Sequence, residues 1–105
     1  MPAPLSFEGV YPILATPFHD DERADLESVD RLVRFMARLG MDGVTVLGVL
    51  GEANRMLDLE REALIRTAVK AADGRLPIIV GTSHSGTQAA VALSQMAQEL
   101  GAQAV

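Results

Sequence analysis

The sequence contains no cysteine and no tryptophan, and only four of its residues are aromatic. Without cysteine, neither a disulfide framework nor a cysteine-based metal site can form, and a cytoplasmic location is the default expectation. Basic residues are scarce as well: one Lys and eight Arg stand against 14 acidic residues, which gives a net charge of −5. Because the basic residues are scattered among acidic ones, we expect no nucleic-acid partner and no membrane partner.

Long apolar runs are also missing. No run approaches the roughly 20 residues that a membrane-spanning helix needs. The segment from Met1 to Glu8 lacks the basic start of a secretion signal, so we expect no targeting segment. What is present is typical of a globular domain, since 49% of the 105 residues are hydrophobic. No linker or low-complexity tract interrupts the chain, and we treat residues 1–105 as a single segment.

Short β-prone apolar runs alternate along the chain with segments whose apolar residues recur every three or four positions. The first pattern predicts strands and the second predicts amphipathic helices. Helix ends are marked by Asp25 as an N-cap and by Gly40, Gly74 and Gly101 as stops. The predicted strands cover residues 10–15, 43–50, 77–80 and 102–105, and the predicted helices cover residues 26–39, 58–72 and 87–100.

This strict alternation of strands and helices predicts an α/β fold with a parallel sheet. The strands recur at about 33, 33 and 25 residues, against roughly 31 residues per unit in a (β/α)8 barrel. One face of the third helix is expected to pack on the sheet through Ala89, Leu93, Met96 and Leu100. Periodicity alone leaves two architectures open, the first part of a barrel and a small doubly wound sheet.

The segment Gly48-Val49-Leu50-Gly51-Glu52 follows the second predicted strand, at the end where both architectures bind their ligands. Its two glycines bracket a tight turn, whose successive N–H groups can converge on an anion such as a carboxylate. The simpler alternative is that the glycines only make the turn from strand to loop. The sequence contains neither a Gly-x-Gly-x-x-Gly pattern nor a phosphate-binding loop, which argues against nucleotide binding.

Four motifs occur in order on the predicted elements: Ala15-Thr16-Pro17-Phe18, Gly-x-x-Gly-Glu at residues 48–52, Leu57-Asp58-Leu59-Glu60-Arg61-Glu62, and Pro77-Ile78-Ile79-Val80-Gly81-Thr82. Together they resemble the N-terminal third of the dihydrodipicolinate synthase and N-acetylneuraminate lyase family. The resemblance implies that the chain is the N-terminal part of a (β/α)8 TIM barrel, with three βα units and a fourth strand. It also implies a Schiff-base lyase or aldolase that binds pyruvate or a related 2-oxo acid. Full-length relatives are typically homo-oligomers, usually tetramers.

In that family the lysine that forms the imine and the tyrosine that relays protons would lie beyond Val105. We therefore assign no catalytic residue, no cofactor and no metal to this chain, and we expect it to be inactive on its own. Lys70 is interpreted as a solvated amine on a helix face, and Tyr11 as a packing residue.

The resemblance assigns substrate binding to the turn, Gly48, Val49, Leu50, Gly51 and Glu52. Thr16, which closes the first strand, is a further candidate for this site. Val49 and Leu50 stand where relatives typically carry two hydroxyl residues, so the substrate is left open. Backbone N–H groups at Leu50 and Gly51 can still hold a carboxylate. His84, in the hydroxyl-rich loop at residues 81–86, is interpreted as a solvated side chain.

A second class of function also remains open. These 105 residues would then act as a non-catalytic α/β module that associates with itself. Such association would cover the open edges that the first and fourth strands present.

Overall fold

The computed structural model describes residues 6–105. Residues 1–5, which open the segment expected to hold no targeting signal, lie outside that range. Three α-helices alternate with short strands: α1 Leu26–Arg38, β1 Val44–Val46, α2 Asp58–Ala72, β2 Ile78–Val80 and α3 Thr87–Glu99, with a 3₁₀ helix Ala53–Arg55 between β1 and α2. No helix within residues 6–105 is long and apolar enough to cross a membrane.

The strands β1 and β2 pair in parallel along their whole length. The first and fourth predicted strands flank this pair, and each contributes one parallel bridge, from Ile13 to Thr45 and from Ala104 to Ile79. The four segments therefore lie side by side in the order of the sequence. A doubly wound sheet reverses its strand order at a switch point, whereas a barrel does not. The arrangement is that of a partial (β/α)8 barrel.

The segments predicted as strands at residues 10–15 and 102–105 pair in the predicted order, but each forms a single parallel bridge instead of a strand. Pro12 has no N–H to donate, so the first segment is joined to β1 by two bonds of 2.9 Å, from Leu14 N–H to the Thr45 carbonyl and from Thr45 N–H to the Pro12 carbonyl. The fourth segment is joined to β2 through the Gln103 N–H and the Ala104 carbonyl, each at 3.0 Å. Each of these segments has a strand neighbour on one side only among residues 6–105.

The predicted strand at residues 43–50 is also shorter in the structure, where β1 ends at Val46. Leu47 has a φ of 59°, in the left-handed region, and this ends the extended backbone. Residues 47–50 therefore belong to the loop at the carboxyl end of β1. The predicted strand at residues 77–80 loses only its first residue, Pro77.

The three helices begin where the sequence predicts. Asp25 is the N-cap of α1 and accepts the Ser28 N–H at 3.1 Å. Gly40 and Gly101, with φ of 79° and 106°, follow the last turns of α1 and α3. Both helices end one residue earlier than predicted, at Arg38 and Glu99. Helix ends are well predicted here because caps and glycine stops are local features.

The hydrophobic core lies between the sheet and the pair of helices α1 and α2. Its buried side chains include Val29, Val33, Val44, Val46, Leu64, Ile65, Ala68, Ile78 and Val80. Helix α3 buries only Ala97 completely. Its predicted apolar face is half-buried instead, including Met96 and Leu100. The reason is that α3 lies beside the last segment of the sheet, which has no further strand within residues 6–105.

Candidate functional site

The carboxyl ends of β1 and β2 open into a cavity of about 270 Å³. Its lining comes from two loops, one after each strand: Leu47, Gly48, Val49, Ala53, Asn54, Gly81 and Ser83. The cavity therefore brings the predicted glycine turn together with the hydroxyl-rich loop. Its position at the carboxyl ends of parallel strands is where such folds bind small molecules.

The glycine turn after β1 is framed by two non-glycine residues in left-handed backbone, Leu47 with φ 59° and Glu52 with φ 54°. Each such residue costs about 1–2 kcal/mol, so the turn is held in a strained conformation. The Glu52 N–H donates to the Val49 carbonyl over 3.0 Å and closes the turn. Gly48 and Gly51 are not among the glycines with positive φ. The backbone conformation of the turn therefore does not require glycine at either position.

Space, rather than φ, favours glycine at Gly51 and requires it at Gly81. A Cβ on Gly51 would lie 3.0 Å from the Leu47 nitrogen and 3.2 Å from the Gly48 nitrogen. A Cβ on Gly81 would overlap the carbonyl oxygen of Leu47. The Gly81 N–H also donates to the Val46 carbonyl over 2.8 Å. The loop after β2 thus presses directly on the start of the turn.

The turn offers backbone donors rather than side-chain donors. The N–H groups of Leu50 and Gly51 donate to no carbonyl within residues 6–105. The side chains of Val49 and Leu50 are 99% and 58% exposed and carry no hydrogen-bonding atom. Val49 lines the cavity, whereas the two residues that follow it, Leu50 and Gly51, do not. An anion at this turn would therefore be held by the main chain.

Two other predicted site residues lie outside the lining of the cavity. Thr16 is buried in the core, beside Leu14 and Leu64. Glu52 forms an ion pair with Arg55, whose Nε lies 3.7 Å from the Glu52 Oε1. The assignment of both residues to substrate binding stays a prediction.

The hydroxyl-rich loop after β2 places one hydroxyl-bearing residue at the cavity. Thr82 is bound to α3 instead, because its Oγ1 lies 2.9 Å from the Oγ of Ser94. His84 is exposed, and its Nδ1 accepts the Gly86 N–H over 3.0 Å. Ser83 is therefore the hydroxyl-bearing residue of this loop that lines the cavity.

Neither Lys70 nor Tyr11 lines the cavity. Lys70 is exposed on α2. Tyr11 is half-buried, with its ring centroid 6.2 Å from that of Phe7, and a Cβ on Gly43 would overlap its ring. Within residues 6–105, no group of three or more His, Asp or Glu side chains is placed to hold a metal ion.

Two residues near the turn are not among the candidate site residues of the sequence analysis. Asn54 lines the cavity from the 3₁₀ helix, an element that no sequence pattern announces. Arg61 lies in α2, and its Nη2 donates to the Ala53 carbonyl over 2.8 Å. In the sequence Arg61 is one more charged residue at the start of a helix, so only the fold shows that it contacts the loop.

Glu60 ties the start of α2 to the loop that precedes α1. Its carboxylate accepts the N–H of Ala24 and the N–H of Leu57, both at 3.1 Å. These two bonds, the one from Ala24 first, hold the pKa of Glu60 below its ordinary value because they favour the charged carboxylate. Leu57 is the N-cap of α2 but has no side-chain acceptor, so only the Glu60 half of a capping box is formed.

Parallel segments joined by helices in sequence order, with a cavity at their carboxyl ends, are the arrangement of a partial (β/α)8 barrel. The model of the dihydrodipicolinate synthetase family matches residues 6–105. The chain belongs to this family, as its motifs indicated.

Two curated relatives illustrate the match. The chain is 43% identical to L-2-keto-3-deoxyarabonate dehydratase of Azospirillum brasilense, over 90% of the chain and 30% of the relative. It is 38% identical to 4-hydroxy-tetrahydrodipicolinate synthase of Thermotoga petrophila, over 94% of the chain and 33% of the relative. The chain thus spans about a third of the length of these relatives.

Solved structures agree with the sequence match. Dihydrodipicolinate synthase from Aquifex aeolicus is similar with a TM-score of 0.89 and 37% identity, over 93% of this chain and 33% of that one. The enzyme from Acinetobacter baumannii, solved in complex with pyruvate, is similar with a TM-score of 0.91 and 30% identity, over 94% of this chain and 34% of that one.

Proposed function

We propose that this chain forms the N-terminal third of a Schiff-base lyase or aldolase that acts on pyruvate or a related 2-oxo acid. The observation that carries the proposal is the pair of N–H groups at Leu50 and Gly51, which have no carbonyl partner within residues 6–105 and follow the carboxyl end of β1. Family membership and the pyruvate complex of the Acinetobacter baumannii relative support it.

These two N–H groups suit the carboxylate of a 2-oxo acid. A charge-assisted hydrogen bond of this kind is worth about 1.5–3 kcal/mol. The Glu52 N–H bond to the Val49 carbonyl and the close contacts at Gly51 hold the turn, so its donors would need little rearrangement to bind the substrate. The turn would then anchor and orient the substrate while the chemistry occurs elsewhere in the barrel.

The chemistry of the proposal is imine formation. The 2-oxo group condenses with a lysine amine and loses water, and the protonated imine then withdraws electrons from the neighbouring carbon, C3. A proton leaves C3 more readily as a result. We propose that this lysine lies outside residues 1–105, since Lys70 is exposed on α2 and does not line the cavity.

For the substrate we propose a 3-deoxy-2-oxo sugar acid, which would be dehydrated. Val49 and Leu50 provide no hydroxyl to relay a proton during condensation with an aldehyde. An imine at C2 allows the C3 proton to leave and the C4 hydroxyl to depart as water, and the substrate itself carries further hydroxyl groups. The 43% identity to L-2-keto-3-deoxyarabonate dehydratase supports this choice.

The test uses the longer protein that carries this chain. We expect it to dehydrate a 3-deoxy-2-oxo pentonate and to condense pyruvate with aspartate semialdehyde poorly, since losing a positioned proton relay lowers rates by about 10²- to 10⁴-fold. The matched variant is Val49→Thr, which restores one hydroxyl. Efficient condensation that is the same with and without Val49→Thr would contradict the proposed substrate class.

A self-associating, non-catalytic module is the alternative, and one observation is compatible with both functions. Ile13 and Val105, at the two outer segments of the sheet, are 55% and 63% exposed, as expected of surfaces that another chain or another part of a barrel covers. Homo-oligomerisation and a cytoplasmic location are part of our proposal in either case. The two functions differ in chemistry, because only the lyase forms an imine.

A further inference from the structure

The side chain of Arg61 connects a rigid helix to the loop that carries the glycine turn. Its Nη2 donates to the carbonyl of Ala53, the first residue of the 3₁₀ helix, over 2.8 Å. Helix α2 is well anchored at this point, since Leu64 and Ile65 are each 1% exposed. The guanidinium therefore fixes the 3₁₀ helix relative to the core.

The position of the 3₁₀ helix decides the position of the turn. Ala53 directly follows Glu52, the left-handed residue that ends the turn. The Ala53 carbonyl also accepts the Met56 N–H at 3.2 Å, so two donors meet on one oxygen at the exit of the turn. No other side chain within residues 6–105 donates to the carbonyls of residues 47–53. Arg61 is thus the side-chain tie that holds a strained segment in place.

Stability alone does not explain this arginine. Its Nε is buried and has no hydrogen-bond partner among residues 6–105. A buried donor without a partner is unfavourable, so a residue that served only to fill this space would be better replaced by an apolar one. We therefore attribute the presence of a guanidinium at this position to its hydrogen bond with the Ala53 carbonyl.

We propose that Arg61 is a positioning residue, which holds the turn so that the N–H groups of Leu50 and Gly51 converge on the substrate carboxylate. This inference rests on the proposed function. A contact to a carboxylate that does not react is made equally in the ground state and the transition state, so its loss raises KM more than it lowers kcat. Loss of fold stability alone would lower the amount of active protein and leave KM unchanged.

The experiment compares variants of the longer protein that carries this chain. Arg61→Met removes the donor to the Ala53 carbonyl, Arg61→Gln leaves an amide group that ends short of the Nη2 position, and Arg61→Lys keeps a donor on a long side chain. The matched control is Arg66→Gln on the same helix, because Arg66 is exposed and bonds only to Glu62, at 2.8 Å. We expect KM for the 2-oxo acid to rise at least about tenfold in Arg61→Gln while kcat changes by less than about threefold. Arg61→Lys should recover most of the loss, and Arg66→Gln should match the wild type.

The outcomes separate the two claims. Should Arg61→Gln fail to fold, Arg61→Met keeps the packing of the side-chain stem and takes its place. If the wild type forms an imine and Arg61→Gln or Arg61→Met keeps the KM of Arg66→Gln, the inference is overturned and the proposed function stands. If the wild type forms no imine with any 2-oxo acid, the proposed function fails, and the inference fails with it.

Discussion

Two connections at opposite ends of the sheet both use left-handed backbone, and they use it differently. At the amino end, between α2 and β2, Asp73 and Gly74 have φ of 49° and 73°, and a Cβ on Gly74 would meet nothing within 4 Å. Arg75 completes this connection, because its Nη2 donates to the Ala71 carbonyl at 2.7 Å and its Nε to the Ala72 carbonyl at 3.1 Å. The polar groups at the end of α2 are therefore satisfied within the loop.

The connection at the carboxyl end, between β1 and α2, reverses this arrangement. The left-handed positions fall on Leu47 and Glu52, while the glycine at Gly51 stands where space is short. The N–H groups of Leu50 and Gly51 have no carbonyl partner within residues 6–105. In barrel proteins the amino end serves stability and the carboxyl end serves ligands. The contrast within this one chain follows the same division.

The largest expected effect on the free energy of unfolding comes from adding a methyl group at the carboxyl end of the sheet, compared with the same change at the amino end. Gly81→Ala should destabilise the fold by about 2 kcal/mol or more, because its Cβ would overlap the Leu47 carbonyl oxygen. Gly74→Ala, at the amino end, should cost only about 1 kcal/mol, from its left-handed φ. Denaturant unfolding of both variants measures the difference. If both variants lost the same free energy of unfolding, the two ends of the sheet would not differ in packing.

A smaller, stabilising effect is expected at the start of α2. Leu57 is the N-cap, is 70% exposed and has no acceptor, so Leu57→Ser should add about 1 kcal/mol of stability. The control is Leu59→Ser, because Leu59 is 77% exposed within the first turn but is not the cap. No gain from Leu57→Ser relative to Leu59→Ser would mean that Leu57 is held by contacts other than those within residues 6–105.

The smallest effect concerns acid stability and Glu60. Because its pKa is lowered in the folded state, Glu60 stabilises the fold fully above its unfolded pKa of about 4.3, and this contribution is lost as the pH falls through the lower folded value. Glu60→Gln should therefore be less stable than the wild type near neutral pH, and the gap should close in acid. Thermal unfolding across this range checks it, with Glu62→Gln as control. A gap that stays constant with pH would contradict the assignment.

The helices were predictable from the sequence because their signals are local. Asp25, Gly40 and Gly101 mark the helix ends through their own side chains or backbone, and the structure agrees to within one residue. Strand lengths were less predictable, since β1 ends where Leu47 turns left-handed against Gly81, a contact between residues distant in sequence. The outer segments are shorter still because each forms only two backbone bonds to its neighbour, and Pro12 has no N–H to extend the ladder.

The site was predictable in part for the same reason. The glycine spacing at residues 48–51 locates the turn, but neither glycine has a positive φ and only Gly51 lies where space is short. Thr16 follows a strand in the sequence, and nothing local shows that its side chain is buried in the core. Arg61 contacts the loop only through the tertiary packing of α2, and Asn54 lines the cavity from a 3₁₀ helix that no sequence pattern announces. Such contacts depend on tertiary structure and leave no periodic pattern.

One measurement tests the central claim most directly. The longer protein that carries this chain is incubated with a 2-oxo acid and then with borohydride, which reduces an imine to a stable amine, and the product is mapped by mass spectrometry. The account predicts a single adduct per chain, on a lysine outside residues 1–105. No adduct with pyruvate or with a 3-deoxy-2-oxo sugar acid, or an adduct on Lys70, would contradict it.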